Sequence, residues 1–304
     1  MFRRVIVGVD GRPNGRDAVS LARLLAAPHE RLALAHVHQL SPVHAASIPF
    51  GEAEREGALL LLEQERHAAG VDADLLTVAA SSVGRGLHYL AETHGADLLT
   101  VGSCDRGFAG RVLVGNDTRA SLSGSPCAVA IAPRGYAQAA RSIATIGVGY
   151  DGSAESQAAL ALARELAERH AATVRVLQVV QIPALAYAGF AGVVWGDAFE
   201  TMRTDAQTQI DALEGVDGEA VLGLAGEELA AFGTQVDLLI VGSRGYGPAR
   251  RLILGSTSEH LANHARCPLL VLPRQAVNGP DPQVRSGQHR STDPRPPDRP
   301  SALA

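Results

Sequence analysis

Val5-Ile-Val-Gly-Val-Asp10-Gly11, near the start of the chain, returns as Ile146-Gly-Val-Gly-Tyr-Asp151-Gly152. Two further blocks behave in the same way. Asp97-Leu-Leu-Thr-Val-Gly102-Ser103 returns as Asp237-Leu-Leu-Ile-Val-Gly242-Ser243, and Cys127-Ala-Val-Ala-Ile-Ala-Pro133-Arg134 as Cys267-Pro-Leu-Leu-Val-Leu-Pro273-Arg274. The spacings are 141, 140 and 140 residues, and the order is kept. Three blocks at one spacing mean a duplicated domain. The junction falls near residues 135–141, which divides the chain into halves 1–138 and 139–276.

Around these blocks, apolar runs alternate with helical periodicity. Strands are predicted near 3–9, 32–38, 73–79, 97–102 and 127–132, then near 143–149, 173–180, 219–223, 237–242 and 268–272. The runs are continuously apolar rather than alternating, so each strand is expected to be buried on both faces of a parallel sheet. Ala18, Leu21, Ala22 and Leu25 recur at helical spacing in one half, Ala159, Leu162, Ala163 and Leu166 in the other, and Ser153 suits the N-cap of the second helix. The expected fold is α/β, with two doubly wound domains. In such a sheet the ligand crevice lies at the carboxyl ends of the strands, where the strand order reverses. In each half the first strand ends in Asp-Gly and the fourth in Gly-Ser.

Composition narrows the function. The 304 residues carry 27 basic and 32 acidic side chains, a net charge of −5, and 46% of them are hydrophobic. That apolar content supports ordinary cores, and the charge argues against nucleic-acid binding. Every basic residue is arginine. A P-loop ending in Gly-Lys and a Schiff-base lysine are therefore both excluded. Cys104, Cys127 and Cys267 are too few and too scattered for a disulfide framework, and they fit a reducing cytoplasm. No window is apolar enough to span a membrane, and the N-terminus lacks signal-peptide character. Residues 277–304 hold six prolines and four arginines with little apolar content, and read as a disordered tail.

The chemistry concentrates in the second half, in Gly242-Ser-Arg-Gly245-Tyr-Gly-Pro-Ala-Arg-Arg-Leu-Ile-Leu-Gly255-Ser256-Thr257, the pattern G-x2-G-x9-G-S. Gly242 and Gly245 read as positions that permit positive φ and leave room for a polyanion. Gly255-Ser256 opens a helix, whose unpaired first amides and positive dipole end suit a phosphate. Arg244, Arg250 and Arg251 supply charge where lysine is absent.

On these blocks the chain, from residue 1 to about 275, resembles a tandem universal stress protein, the family whose ATP-binding members carry G-x2-G-x9-G followed by Ser or Thr. The resemblance implies Rossmann-like sheets of strand order 3-2-1-4-5 and a cytoplasmic regulatory protein that binds ATP, with Mg2+, and does not turn it over as an enzyme. By the same resemblance, Asp151 and Val179 meet the adenosine end of the nucleotide, and Gly242, Gly245, Gly255, Ser256 and Thr257 meet the ribose and phosphates. It also implies that the two fifth strands pair edge to edge as an internal pseudo-dimer, with a homodimer of whole chains as the alternative assembly. In the first half Asp10, Val37, Gly102 and Gly115 remain, but Asp105 replaces the second glycine, and Asn116-Asp117 replaces Ser-Thr. Carboxylates directed at a triphosphate cost Coulomb energy, so the first half is expected to hold nucleotide less well. A nucleotide-free interaction module and a slow ATPase are the competing readings.

Other features are weighed against these. His36, His38 and His44 have no counterparts in the second half and no carboxylate at ligand spacing, so no metal site is expected. His260 and His264 read as helix histidines. Tyr187 to Gly196 reads as a surface loop or a lid. Asp10 and Asp151 also suit capping of the turn that follows them.

Overall fold

The computed structural model describes residues 1–39, 48–104, 110–113, 115–138, 142–181, 196–243 and 255–273. The first half runs β1 (Val5–Gly8), α1 (Pro13–Leu25), β2 (Leu32–Gln39), α2 (Ile48–Ala69), β3 (Ala73–Ala80), α3 (Val83–His94), β4 (Leu98–Gly102), α4 (Asn116–Leu122) and β5 (Ala128–Ala132). The second runs β6 (Thr145–Tyr150), α5 (Ala154–His170), β7 (Thr173–Gln181), α6 (Gly196–Asp211), β8 (Asp217–Gly223), α7 (Ala225–Phe232), β9 (Leu238–Gly242), α8 (Ser256–His264) and β10 (Leu269–Leu272). Local chemistry accounts for several boundaries. Ser153 caps α5 by accepting from the Ser156 amide at 3.2 Å, and Pro13 opens α1 where its missing N–H costs nothing. β1 and β6 start two residues later than the apolar runs suggest. The Arg3 and Arg4 amides donate to the Asp97 carboxylate, and the Ala144 amide to Asp237, instead of entering the ladder; the amide of Thr145, the first residue of β6, donates to Asp237 as well.

All ten strands form one sheet in the order β3-β2-β1-β4-β5-β10-β9-β6-β7-β8. Each half is parallel and reads 3-2-1-4-5, and the junction between β5 and β10 is antiparallel. There Leu269 lies opposite Ile131, Leu270 opposite Ala130, and Val271 opposite Val129. Residues 269, 270 and 271 are the repeat counterparts of 129, 130 and 131, so the register has a local two-fold centred on Ala130 and Leu270. Edges that would otherwise stand open to aggregation cover each other.

Apolar side chains fill both faces of the sheet, making three layers. One face packs under α1, α2, α5 and α6 through Leu21, Leu25, Leu62, Leu160 and Leu166. The other packs under α3, α4, α7 and α8 through Leu87, Leu122, Leu229 and Leu261. Each of these cores is continuous across both halves. Among the described residues, no helix is long and apolar enough to cross a membrane.

Candidate functional site

A cavity opens in each half at the carboxyl ends of the first and fourth strands, where the order reverses. The two are of similar size, about 490 Å³ in the first half and about 500 Å³ in the second. Their floors match. Val37, Leu87 and Val101 line the first, and Val179, Leu229 and Val241, their repeat counterparts, line the second.

The rims differ. In the second cavity Asp151, Ser153, Glu155 and Ser156 come from the turn after β6 and the start of α5, and Gly255, Ser256, Thr257 and Ser258 from the start of α8. Gly255 is the N-cap of α8, in extended conformation with φ −78° and ψ 165°, and no side chain caps the helix. The first α8 amides are thus left for another acceptor. Among the described lining residues of this cavity there is no arginine. Attraction for an anion therefore comes from amides, hydroxyls and the helix dipole.

Six residues singled out in the second half, Asp151, Val179, Gly242, Gly255, Ser256 and Thr257, line this one cavity. Asp10, Val37 and Gly115 line the first. Gly102 does not. A Cβ there would lie 2.1 Å from the Asn14 carbonyl oxygen, so its glycine is required by α1 packing on the strand end. Gly242 repeats the arrangement, with a Cβ 2.7 Å from Glu155 Cβ. Neither has the positive φ that the sequence suggests for Gly242. Asn116 opens α4, and its side chain lies outside the described residues. Asp105, His44, Arg244, Gly245, Arg250, Arg251, the 187–195 stretch and the 277–304 tail also lie outside them.

The aspartates both line the cavities and hold their turns. Asp10 accepts from the Arg12 amide at 3.2 Å, and Asp151 from the Ser153 amide at 3.1 Å. The histidines have local partners. His36 Nδ1 lies 2.9 Å from the Val9 carbonyl oxygen and His38 Nδ1 3.2 Å from Thr77 Oγ1. His260 and His264 stack on α8 with ring centroids 4.1 Å apart. Burial, followed by the nearby His264, holds the His260 pKa below its ordinary value.

Among the lining residues that sequence reasoning did not single out are Asn14 and Glu155. Each lies four residues beyond its Asp, and that repeated spacing is the signal that identifies them.

Known proteins share both the sequence pattern and the fold. The pattern of the universal stress protein family matches residues 1–133 and again 143–273. A universal stress protein of Mycobacterium tuberculosis is 28% identical over 218 residues, covering 68% of this chain and 75% of its own. One from Thermus aquaticus is 33% identical over 138 residues, covering 42% of this chain and 97% of its own. The fold resembles that of a universal stress protein from Archaeoglobus fulgidus, with a TM-score of 0.60 at 18% identity, covering 90% of this chain and 99% of that one. A putative universal stress protein from Pseudomonas aeruginosa gives 0.62 at 16% identity, covering 90% and 94%. Matched by the family twice over nearly its whole described length, the chain is a tandem, two-domain member of the universal stress protein family.

Proposed function

We propose that this protein binds ATP in the second half and serves as a stress-response regulator in the cytoplasm whose output is occupancy rather than turnover. The observation that carries the reading is the uncapped start of α8, set against an apolar floor with Asp151 on the same rim. The floor of Val179, Leu229 and Val241 suits a flat base, and the α8 amides with Ser256 and Thr257 suit phosphates. Asp151 and Glu155 add hard oxygen ligands of the kind Mg2+ takes, and would hold it beside the phosphates; the ion would supply charge neutralisation. The division into a 1–138 domain, a 139–276 domain and a tail, and the pseudo-dimer across β5 and β10, belong to the same proposal.

A second reading is a nucleotide-free interaction module. It is favoured by Gly242, whose packing on Glu155 accounts for one glycine of the motif without any ligand.

The test is to denature the purified full chain and run the supernatant on ion exchange with ultraviolet detection, then titrate stripped protein with Mg-ATP by calorimetry. About one equivalent per chain is expected. Gly245→Asp, which copies the first-half residue, is expected to abolish binding with little change in folding. Protein that carries no nucleotide and ignores Mg-ATP overturns the reading in favour of the second.

A further inference from the structure

The sheet has two outer edges, β3 and β8, and they are finished differently. Along an edge strand every second residue turns its N–H and C=O away from the sheet, where another chain can pair with them. On β8 a side chain takes these groups. Gln207 of α6 donates from Nε2 to the Gly218 carbonyl at 3.1 Å and accepts at Oε1 from the Ala220 amide at 2.8 Å. Asp211 Oδ1 accepts from the same Nε2 at 2.7 Å, which holds the amide in this orientation. The Gln207 amide thus stands where a further strand would bond. Asp217 and Glu219 add exposed charge to this edge.

β3 lacks the clamp. Gly218 and Ala220 lie opposite Val176 and Gln178 of β7, and their counterparts Leu75 and Thr77 opposite Leu34 and His36 of β2. The buried Ala58 and Leu62 of α2 match the buried Ala206 and Ile210 of α6, so Leu59 stands where the second half has Gln207. A leucine side chain forms no hydrogen bond. Among the described residues, no side chain bridges the outer amides and carbonyls of β3. Leu75 to Ala80 carry no charge, proline or glycine, and all are half-buried. Asp74, ahead of them, pairs with Arg31 at 3.6 Å.

We propose that the β3 edge is a docking surface for a second copy of this chain, with the two β3 strands antiparallel about a two-fold axis. A pairing centred on Thr77 sets the outward residues Leu75, Thr77 and Ala79 of one copy against Ala79, Thr77 and Leu75 of the other. Each Asp74 then lies opposite an Ala80, so like charges do not face each other across the strands. The chain already joins equivalent edges in this manner, antiparallel, at β5 and β10. The clamp on β8 decides the size of the assembly. With one edge open and the other closed, the contact is isologous and ends at a dimer, where two open edges would allow an open-ended filament.

Sedimentation equilibrium of the full chain up to sub-millimolar concentration is expected to give twice the chain mass of 31.7 kDa. Leu59→Gln, which copies the clamp onto β3, is expected to weaken the dimer by about tenfold or more. Gln207→Leu frees β8 and is expected to carry assembly beyond the dimer. Thermal unfolding of each variant checks that it is folded, and a cross-link tests the register without them. Thr77→Cys in a Cys104→Ser background, oxidised with diamide, is expected to give a covalent dimer, because directly opposed residues of such a pair have Cα atoms about 5.5 Å apart. Ala220→Cys in the same background is expected to stay a single chain. A wild-type chain that remains monomeric overturns the inference. Fast hydrogen exchange of the β3 amides in that monomer would leave the edge to a different protein, and slow exchange would mean that the chain covers its own edge. A dimer that gives no cross-link at Thr77 and is unaffected by Leu59→Gln uses another surface and overturns it as well.

Discussion

Gly102 and Gly242 show how one residue type hides two different requirements. Glycine is needed either where φ is positive or where a Cβ has no room, and a sequence does not separate the cases. Here the second applies, because each strand end meets the first turn of a helix, α1 or α5. A Cβ 2.1 Å from the Asn14 carbonyl has a backbone atom in its way, which cannot rotate aside. Gly102→Ala is expected to destabilise the protein by about 1–3 kcal/mol, the range for overpacking, and Gly242→Ala by the lower part of it. Urea midpoints measure both. An unchanged midpoint for Gly242→Ala together with lost ATP binding would return that glycine to the ligand. The cysteines separate in the same residue-by-residue way. Burial pushes the Cys127 thiol up to about 11 and the Cys267 thiol to about 12, whereas Cys104 is half-buried and lines the first cavity. Native protein treated with iodoacetamide near neutral pH is expected to be labelled at Cys104 well before the other two, since the thiolate is the nucleophile. Peptide mapping by mass spectrometry reads the order.

At the scale of elements, α8 joins the second cavity to a pair of stacked histidines. Gly226 of α7 packs on the His260 ring, with Glu227 beside it, and His264 lies one turn further along α8. Burial and His264 lower the His260 pKa, while Glu227 opposes them. The sign follows from linkage. The unfolded chain takes up this proton near pH 6.5, before the folded one does, so stability falls as pH drops below that value and levels off once the folded state is protonated. His260→Gln is expected to flatten that part of the stability–pH curve, measured by urea denaturation between pH 7.5 and 5. The elements themselves were legible in the sequence, because a doubly buried strand is a continuous apolar run and the duplication displayed each run twice. What escaped was the angle at which helices enter. Asn14 and Glu155 reach the cavities because α1 and α5 start directly above a strand end, and that geometry is set by side chains from other elements. In the same way, the late starts of β1 and β6 depend on Asp97 and Asp237, some 93 residues away in sequence.

Over the whole molecule, the halves are joined by more than one strand pair. Within the first half, the Asp17 carboxylate accepts from the Gly135 and Ala137 amides, each at 2.7 Å, and holds the segment that leads to the second half against α1. His170 Nε2 lies 2.9 Å from the Leu24 carbonyl, and the Val112 amide donates to the Ala265 carbonyl at 2.8 Å. Arg119 pairs with Glu259, its own counterpart 140 residues on, so the local two-fold brings opposite charges together where two copies of the same half would oppose like charges. Both partners are about half exposed, however, and such a pair is worth only about 0.2–1 kcal/mol. Burial of apolar surface contributes more. Val129, Ile131, Leu269 and Val271 have no exposed surface, and the cores on both faces run through this junction. The halves are therefore expected to unfold in one transition, with circular dichroism and tyrosine absorbance coinciding in urea. Ile131→Lys places a charge without a partner opposite Leu269 and is expected to cost more than about 4 kcal/mol, separating the two probes or unfolding the chain. Arg119→Glu is expected to cost below about 1 kcal/mol, and the double variant Arg119→Glu/Glu259→Arg to recover it. If the charge reversal proves more damaging than Ile131→Lys, electrostatics rather than apolar burial holds the two halves together.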